Sequence, residues 1–438
     1  MQQVDTLIHA RWLVPMVPTG VELTHHSVAI QAGRIKAVLP TEKARRRFQS
    51  DHTVELSQHA LIPGLINTHT HAAMSLFRGM ADDLPLMDWL NNHIWPAEAR
   101  VVNEAFVRDG TRLAVAEMLR GGTTCFNDMY FFPDQCAKVA VEAGIRAVLG
   151  LIVIDFPTVW AENAEEYIAK GLAVHDETRH QPLLTAAFAP HAPYTVSDAP
   201  LARIRMLADE LDLPVHIHLH ETSDEVDAAV ADTGLRPIER LHALGLLTPR
   251  LLAVHMTTLS DADVEMAAAH GLNVAHCPES NLKLASGFCP VARLAQAGIN
   301  VALGTDGAAS NNDLDMFSEM RTAAHLAKAV AADAAAVPAH AALAMATING
   351  ARALALDAEI GSIEVGKAAD LTAVDLNALA TQPVYSAASA VVYAASREQV
   401  SHVWVNGEAL VDNGTLLTID RSTTIARANE WREKIRPQ

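Results

Sequence analysis

From residue 61 to residue 307, short apolar runs alternate with longer stretches whose apolar positions recur every three or four residues. The runs are LIPGLINT, TTCFND, RAVLGLIVID, LLTAAFAP, PVHIHLHE, LLAVHMT, NVAHCPES and NVALGTDG. Between them lie helical patterns such as VRDGTRLAVAEMLRGG, APLARIRMLADEL and SDADVEMAAAHG. The runs are continuous rather than alternating, as parallel strands buried on both faces are. Eight such strands alternating with helices predict an α/β fold, a (β/α)8 TIM barrel.

The two ends read differently. HSVAIQAGRIKAVLP alternates about a Gly turn, and SHVWVNGEALVDNG carries a hairpin signal at Asn406-Gly407. Neither end is long enough to be stable alone. Together they predict one small β-sandwich from residues 1–60 and 367–438, with a metal-dependent hydrolase barrel over 61–366 inserted between them.

Candidate chemistry sits where the runs end. Active sites of this fold lie at the C-terminal ends of the strands, and most runs end in a polar residue: Asp128, Asp155, His191, Glu221, His255, Glu279 and Asp306. The first run leads into His69 and His71, two apart and so on one side of a strand. The fifth offers His216, His218 and His220. His216 lies deep in the barrel and reads as structural or as a group supporting a ligand, while His220 is the last strand residue and is expected to turn outward. His218 is therefore favoured as a ligand. Three imidazoles and a carboxylate suit Zn²⁺ and leave room for water, although Fe²⁺ and Mn²⁺ accept the same set. The fourth run has no lysine to bridge two ions, so one metal is expected. Glu221, just past the fifth strand, reads as a general acid/base beside that metal. His276 and Asn281 are expected to orient ligands.

Charge and cysteine usage narrow the partners. The formal net charge of −18 argues against nucleic acid and anionic membranes. The four cysteines have no CxxC spacing and make no disulfide framework, which fits a cytoplasmic protein. The N-terminus is interrupted by Asp5, His9 and Arg11 and does not read as a signal peptide. No apolar run approaches the ~20 residues of a membrane span.

The motifs PGLINTHTH, HIHLHET, HCPESNLKL and GTDGAASNNDLDMF together resemble the amidohydrolase superfamily. The stretch LFRGMADDLPLMDWLNNHIWPAE narrows the resemblance to the 5-methylthioadenosine/S-adenosylhomocysteine deaminase family. That resemblance implies that His69, His71, His218 and Asp306 hold the metal and that Glu221 and His255 act on the water. It implies that Glu98 binds ribose hydroxyls and that His191 contacts substrate. Asp306 is then also catalytic. By its own composition the loop after the first strand, with Leu84, Leu86, Met87 and Trp89, reads as an apolar lid over the 5′ group. The implied partner is a small purine nucleoside, 5′-methylthioadenosine or adenosine, and a homo-oligomer is expected. Relatives that take S-adenosylhomocysteine are expected to offer an arginine after the third strand. IDFPTVWAENAEEYIAKG has none. The competing enzyme reading is a guanine deaminase or triazine chlorohydrolase on the same barrel, whose substrates lack ribose.

Overall fold

The computed structural model describes residues 1–436. Eight parallel strands follow one another around a barrel: β1 (Leu65–Thr70), β2 (Thr123–Met129), β3 (Arg146–Val153), β4 (Leu184–Pro190), β5 (Val215–Leu219), β6 (Leu251–His255), β7 (Asn273–His276) and β8 (Asn300–Leu303). Six of the eight are buried along their whole length, as parallel strands covered on both faces are. The seam between β1 and β8 closes through Thr68 Oγ1, which donates to the Leu303 carbonyl at 2.8 Å, and through Asp306 N, which donates to the His69 carbonyl at 3.0 Å. Gly304 permits that approach: a Cβ there would lie 2.8 Å from the His69 backbone nitrogen.

Helices cover the barrel. Helix Glu104–Arg120 is typical: the Asn103 side chain accepts from the amides of Ala105 and Phe106, and Phe106, Val107, Ala114, Val115 and Met118 form its buried face. Gly110 brings this helix onto the turn after β1, since a Cβ there would meet the Ala73 carbonyl oxygen at 2.3 Å. That turn carries the chain away from His71.

The chain ends build one eight-stranded mixed sheet. Its centre is His52–Pro63 paired antiparallel with Leu371–Asp375, and the hairpins predicted at each end flank it. Both hairpin tips have two positive φ values, Ala32–Gly33 (49° and 75°) and Asn406–Gly407 (49° and 80°), as the favoured two-residue turns require. Strand His52–Pro63 runs through LIP of the first apolar run before β1 begins at Leu65. The buried Arg146, at the foot of β3, donates to both oxygens of Asp370 at 3.0 and 3.2 Å and ties sheet to barrel. The C-terminal helix Arg421–Ile435 lies on the barrel side, where Trp431 Nε1 donates to Asp109 Oδ2 at 2.9 Å. No helix of the described residues is long and apolar enough to cross a membrane.

Candidate active site

The C-terminal ends of β1, β5, β6 and β8 deliver His69, His71, His218, His255 and Asp306 to one point. His69 Nε2 and His71 Nε2 each lie 3.2 Å from Asp306 Oδ1, and His218 Nε2 lies 3.2 Å from His69 Nε2. The opposite ring nitrogens are committed. His71 Nδ1 donates to the Met129 carbonyl at 2.6 Å and His218 Nδ1 to the His191 carbonyl at 2.7 Å. His69 Nδ1 pairs with His216 Nε2 at 2.9 Å. Protons held on Nδ1 leave the Nε2 lone pairs converging on a carboxylate.

That convergence fits a cation. Lone pairs this close repel one another unless a positive charge sits between them. Tetrahedral ligands with bonds of ~2.0–2.1 Å stand ~3.3–3.4 Å apart, close to the spacing found. Burial lowers His69 to about 4 and His218 well below its ordinary value, so both are neutral donors. Burial alone would raise Asp306, yet hydrogen bonds and charge from His69 and His71 hold it well below the carboxylate range. Burial would also lower His71, but Asp306 lifts it to about 9, so a metal there displaces a proton. Ser280 Oγ donates to Asp306 Oδ2 at 2.7 Å and the Gly307 amide to Oδ1 at 2.8 Å.

His255 and Glu221 stand beside this set. His255 Nδ1 pairs with Asn281 Oδ1 at 2.8 Å, and its Nε2 faces inward, 3.8 Å from Glu221 Oε2. Glu221 is buried; Ser286 Oγ donates to its Oε1 at 3.3 Å, and burial pushes its pKa up. His220, His255 and Asp306 have φ of 55°, 75° and 62°, a left-handed conformation that non-glycine residues rarely adopt. Such outliers cluster at functional sites, held by their surroundings. Here Glu225 receives the amides of His220 and Glu221 at 3.2 and 2.6 Å.

His220 does turn away: its Nδ1 pairs with the Thr258 carbonyl at 2.8 Å and its Nε2 accepts from the Ile238 amide at 3.1 Å. The other acidic strand ends hold loops. Asp128 accepts from the Ala72 amide, Asp155 from the Ser197 amide and Glu279 from Thr322 Oγ1, each at 2.7 Å. Asn281 orients His255, but neither ring nitrogen of His276 has a partner among the described residues. The expected orienting role therefore falls to Asn281 and His216.

The cluster forms one side of a cavity whose other walls are largely apolar, including Met74, Leu86, Trp89, Leu90, Ile94 and Trp95. No lysine or arginine lines it. Trp89 is part of the wall. Leu84 is not: it packs against the core outside the cavity, and Leu86 takes the wall position. Glu98, on helix Trp95–Val101, is buried in this wall, accepts from the Tyr130 hydroxyl at 2.6 Å, and is pushed by burial to about 7. His191 lines the cavity and its Nδ1 pairs with Thr195 Oγ1 at 3.0 Å; burial and the neighbouring imidazoles lower it to about 3, so it is neutral. A second cavity of about 1010 Å³ adjoins the first at Leu86, Tyr194 and Glu221.

Sequence reading missed Tyr130, Glu225, Ser280 and Ser286. Glu225 was open to it: Thr222 caps helix Ser223–Thr233, and a Glu at the third helical position is placed to reach back past the cap. The serines carry no signal, because only the fold brings Ser280, on helix Pro278–Lys283, and Ser286 to β8 and β5.

Residues 60–410 match the amidohydrolase family model. The chain is 51% identical over 432 residues to the 5-methylthioadenosine/S-adenosylhomocysteine deaminase of Teredinibacter turnerae, covering 99% of this chain and 98% of that one. It is 50% identical over 434 residues to the protein of the same name from Saccharophagus degradans, covering 99% and 97%. A crystal structure of an adenosine deaminase from Xanthomonas campestris with bound zinc superposes with a TM-score of 0.98 at 55% identity, over 99% of both chains. A triazine hydrolase structure shares the fold at 22% identity and a TM-score of 0.90. Convergent strand-end histidines and full-length identity agree, and the chain belongs to the amidohydrolase family, among its 5-methylthioadenosine/S-adenosylhomocysteine deaminases.

Proposed function

We propose that the protein is a zinc-dependent aminohydrolase that replaces the 6-amino group of 5′-methylthioadenosine, and of adenosine, with oxygen. Water is consumed, and the inosine analogue and ammonia are released. The carrying observation is Glu98, a carboxylate buried in an otherwise apolar wall of the cavity that holds the histidine cluster. A carboxylate accepts two hydroxyl donors and so suits the ribose diol.

In this reading His69, His71, His218 and Asp306 hold the ion, with iron or manganese as substitutes. A bound zinc lowers the pKa of water toward ~7 and polarises it for attack at C6. Asp306, steadied by Ser280, accepts a proton from the attacking water. His255, fixed through Asn281, directs its Nε2 at the same place and steadies the growing charge. Glu221 gives its proton to the ring nitrogen beside C6, takes up the proton of the new C6 hydroxyl and passes it to the departing amine, and is reprotonated by the proton that Asp306 accepted. His191, neutral and held by Thr195, contacts the nucleoside. The apolar lid with Trp89 and Leu86 excludes bulk water and receives the 5′ group. Four buried, free cysteines support a reducing cytoplasm as the setting.

A panel of adenosine, 5′-methylthioadenosine, S-adenosylhomocysteine and guanine tests this reading. Glu98→Ala should lower kcat/KM for the nucleosides ~10–10²-fold, the worth of one charge-assisted hydrogen bond, with metal content unchanged. Guanine as the best substrate would move the assignment to the nucleobase deaminases.

His216 gives a separate check on the metal set. It is buried against His69 Nδ1, and partners of this kind are worth 10–100-fold in metal affinity. His216→Phe should therefore weaken zinc retention ~10–100-fold in chelator competition. Unchanged retention would remove His69 from the proposed ligands.

A further inference from the structure

We propose that Tyr130 is a specificity-determining positioning residue, whose phenol fixes the carboxylate of Glu98 for the ribose diol. The inference rests on the nucleoside reading above. Tyr130 directly follows β2, is 4% exposed, and lines the cavity. Its ring packs against Phe131 with centroids 5.1 Å apart, which sets its direction. Its hydroxyl donates to Glu98 Oε1 at 2.6 Å. Among the described residues this is the hydrogen bond that the Glu98 side chain makes, and its Oε2 has no partner.

A carboxylate in an apolar wall can rotate, or be lost by protonation, unless a donor holds it. No lysine or arginine lines the cavity to do so. The phenol is the group that does, and it occupies one oxygen only. The second stays open for a hydroxyl donor. The phenol also works against burial, which by itself pushes Glu98 toward the neutral acid. A neutral carboxyl would offer the diol a weaker acceptor. Tyr130 thus acts on the ribose through Glu98 and touches no reacting atom.

The test compares adenosine with 2′,3′-dideoxyadenosine, which lacks both hydroxyls, in the wild type, Tyr130→Phe, Glu98→Ala and the double variant. Phenylalanine keeps the packed ring. The expected result is a rise in KM for adenosine of about tenfold in Tyr130→Phe, with kcat within about twofold and no change for the dideoxynucleoside. On the Glu98→Ala background the same change should have no further effect. Equal losses on both substrates would make Tyr130 a structural residue and overturn the proposal. A Glu98→Ala effect confined to adenosine, with none from Tyr130→Phe, would overturn this inference and leave the ribose clamp standing. Equal sensitivity of both substrates to Glu98→Ala would overturn the clamp as well. If Tyr130→Phe is insoluble, Tyr130→Leu, which also lacks the hydroxyl and any other donor, carries the same expectations.

Discussion

Glu221→Gln is expected to lower turnover by ~10²–10⁴ while metal content stays at the wild-type level. The amide keeps the size of the carboxyl and can still accept from Ser286 Oγ, which lies 3.3 Å from Glu221 Oε1. It cannot take up and release a proton. Glu221 is not within the closest set around Asp306 Oδ1, so its loss should not release the ion. Its place past β5, 3.8 Å from His255 Nε2, is where the proposed mechanism puts the proton donor. Burial raises its pKa, which makes it a better proton donor near neutrality than an exposed glutamate. Steady-state kinetics with metal analysis on the same preparation check this. Near-wild-type turnover would remove Glu221 from the proton path, and metal loss would make it a ligand.

The second large effect is on substrate choice: kcat/KM for 5′-methylthioadenosine should exceed that for S-adenosylhomocysteine by ~10–10³-fold, the cost of leaving a carboxylate unpaired. In the proposed reading a methylthio group meets the apolar wall at Leu86 and Trp89, which line the cavity. A homocysteine tail must reach the outer cavity, whose charged lining is Asp155, Asp198, Glu221, Asp224, Glu225 and Asp232 with a single cation, Arg240. Arg240 is already engaged, donating to Asp198 Oδ1 at 2.7 Å and to the carbonyls of Pro193 and Val196 at 2.5 and 2.9 Å. The acidic lining suits the ammonium of the tail, but its carboxylate has no free partner there. Adenosine should fall between the two or near the methylthio compound. Equal kcat/KM for the two sulfur nucleosides would show that Arg240 exchanges partners, or that a second subunit supplies the cation.

Much of the barrel was legible because its signal is local. Continuous apolar runs mark strands buried on both faces, and a polar residue at the end of most runs marks the mouth. The period of two placed His69 with His71, and depth along the fifth strand separated His218 from His216 and His220. The Asn-Gly turn and the Ala-Gly turn specified two hairpins without any tertiary information. The outer sheet was less legible. Pairing between His52–Pro63 and Leu371–Asp375 spans three hundred residues of chain, and nothing local sets that register. The strand therefore takes LIP of the first run for the outer sheet.

At the site the division is sharper. By itself the sequence determined which residue types reach the strand ends, and so the chemistry: imidazoles, a carboxylate, and a glutamate one step beyond. Side chains leave a strand in a direction the backbone dictates, and that information is local. Only the tertiary structure decided which of those groups meet. It put Nε2 rather than Nδ1 toward the centre by supplying the Met129 and His191 carbonyls, and it turned His220 onto Thr258. It left Leu84 out of the cavity wall while keeping Leu86, and it set Tyr130 against Glu98. It also brought Ser280 to Asp306 and Ser286 to Glu221. These contacts join residues from separate strand ends and loops, and a hydrogen bond depends on tenths of an ångström between groups whose separation only the closed barrel sets.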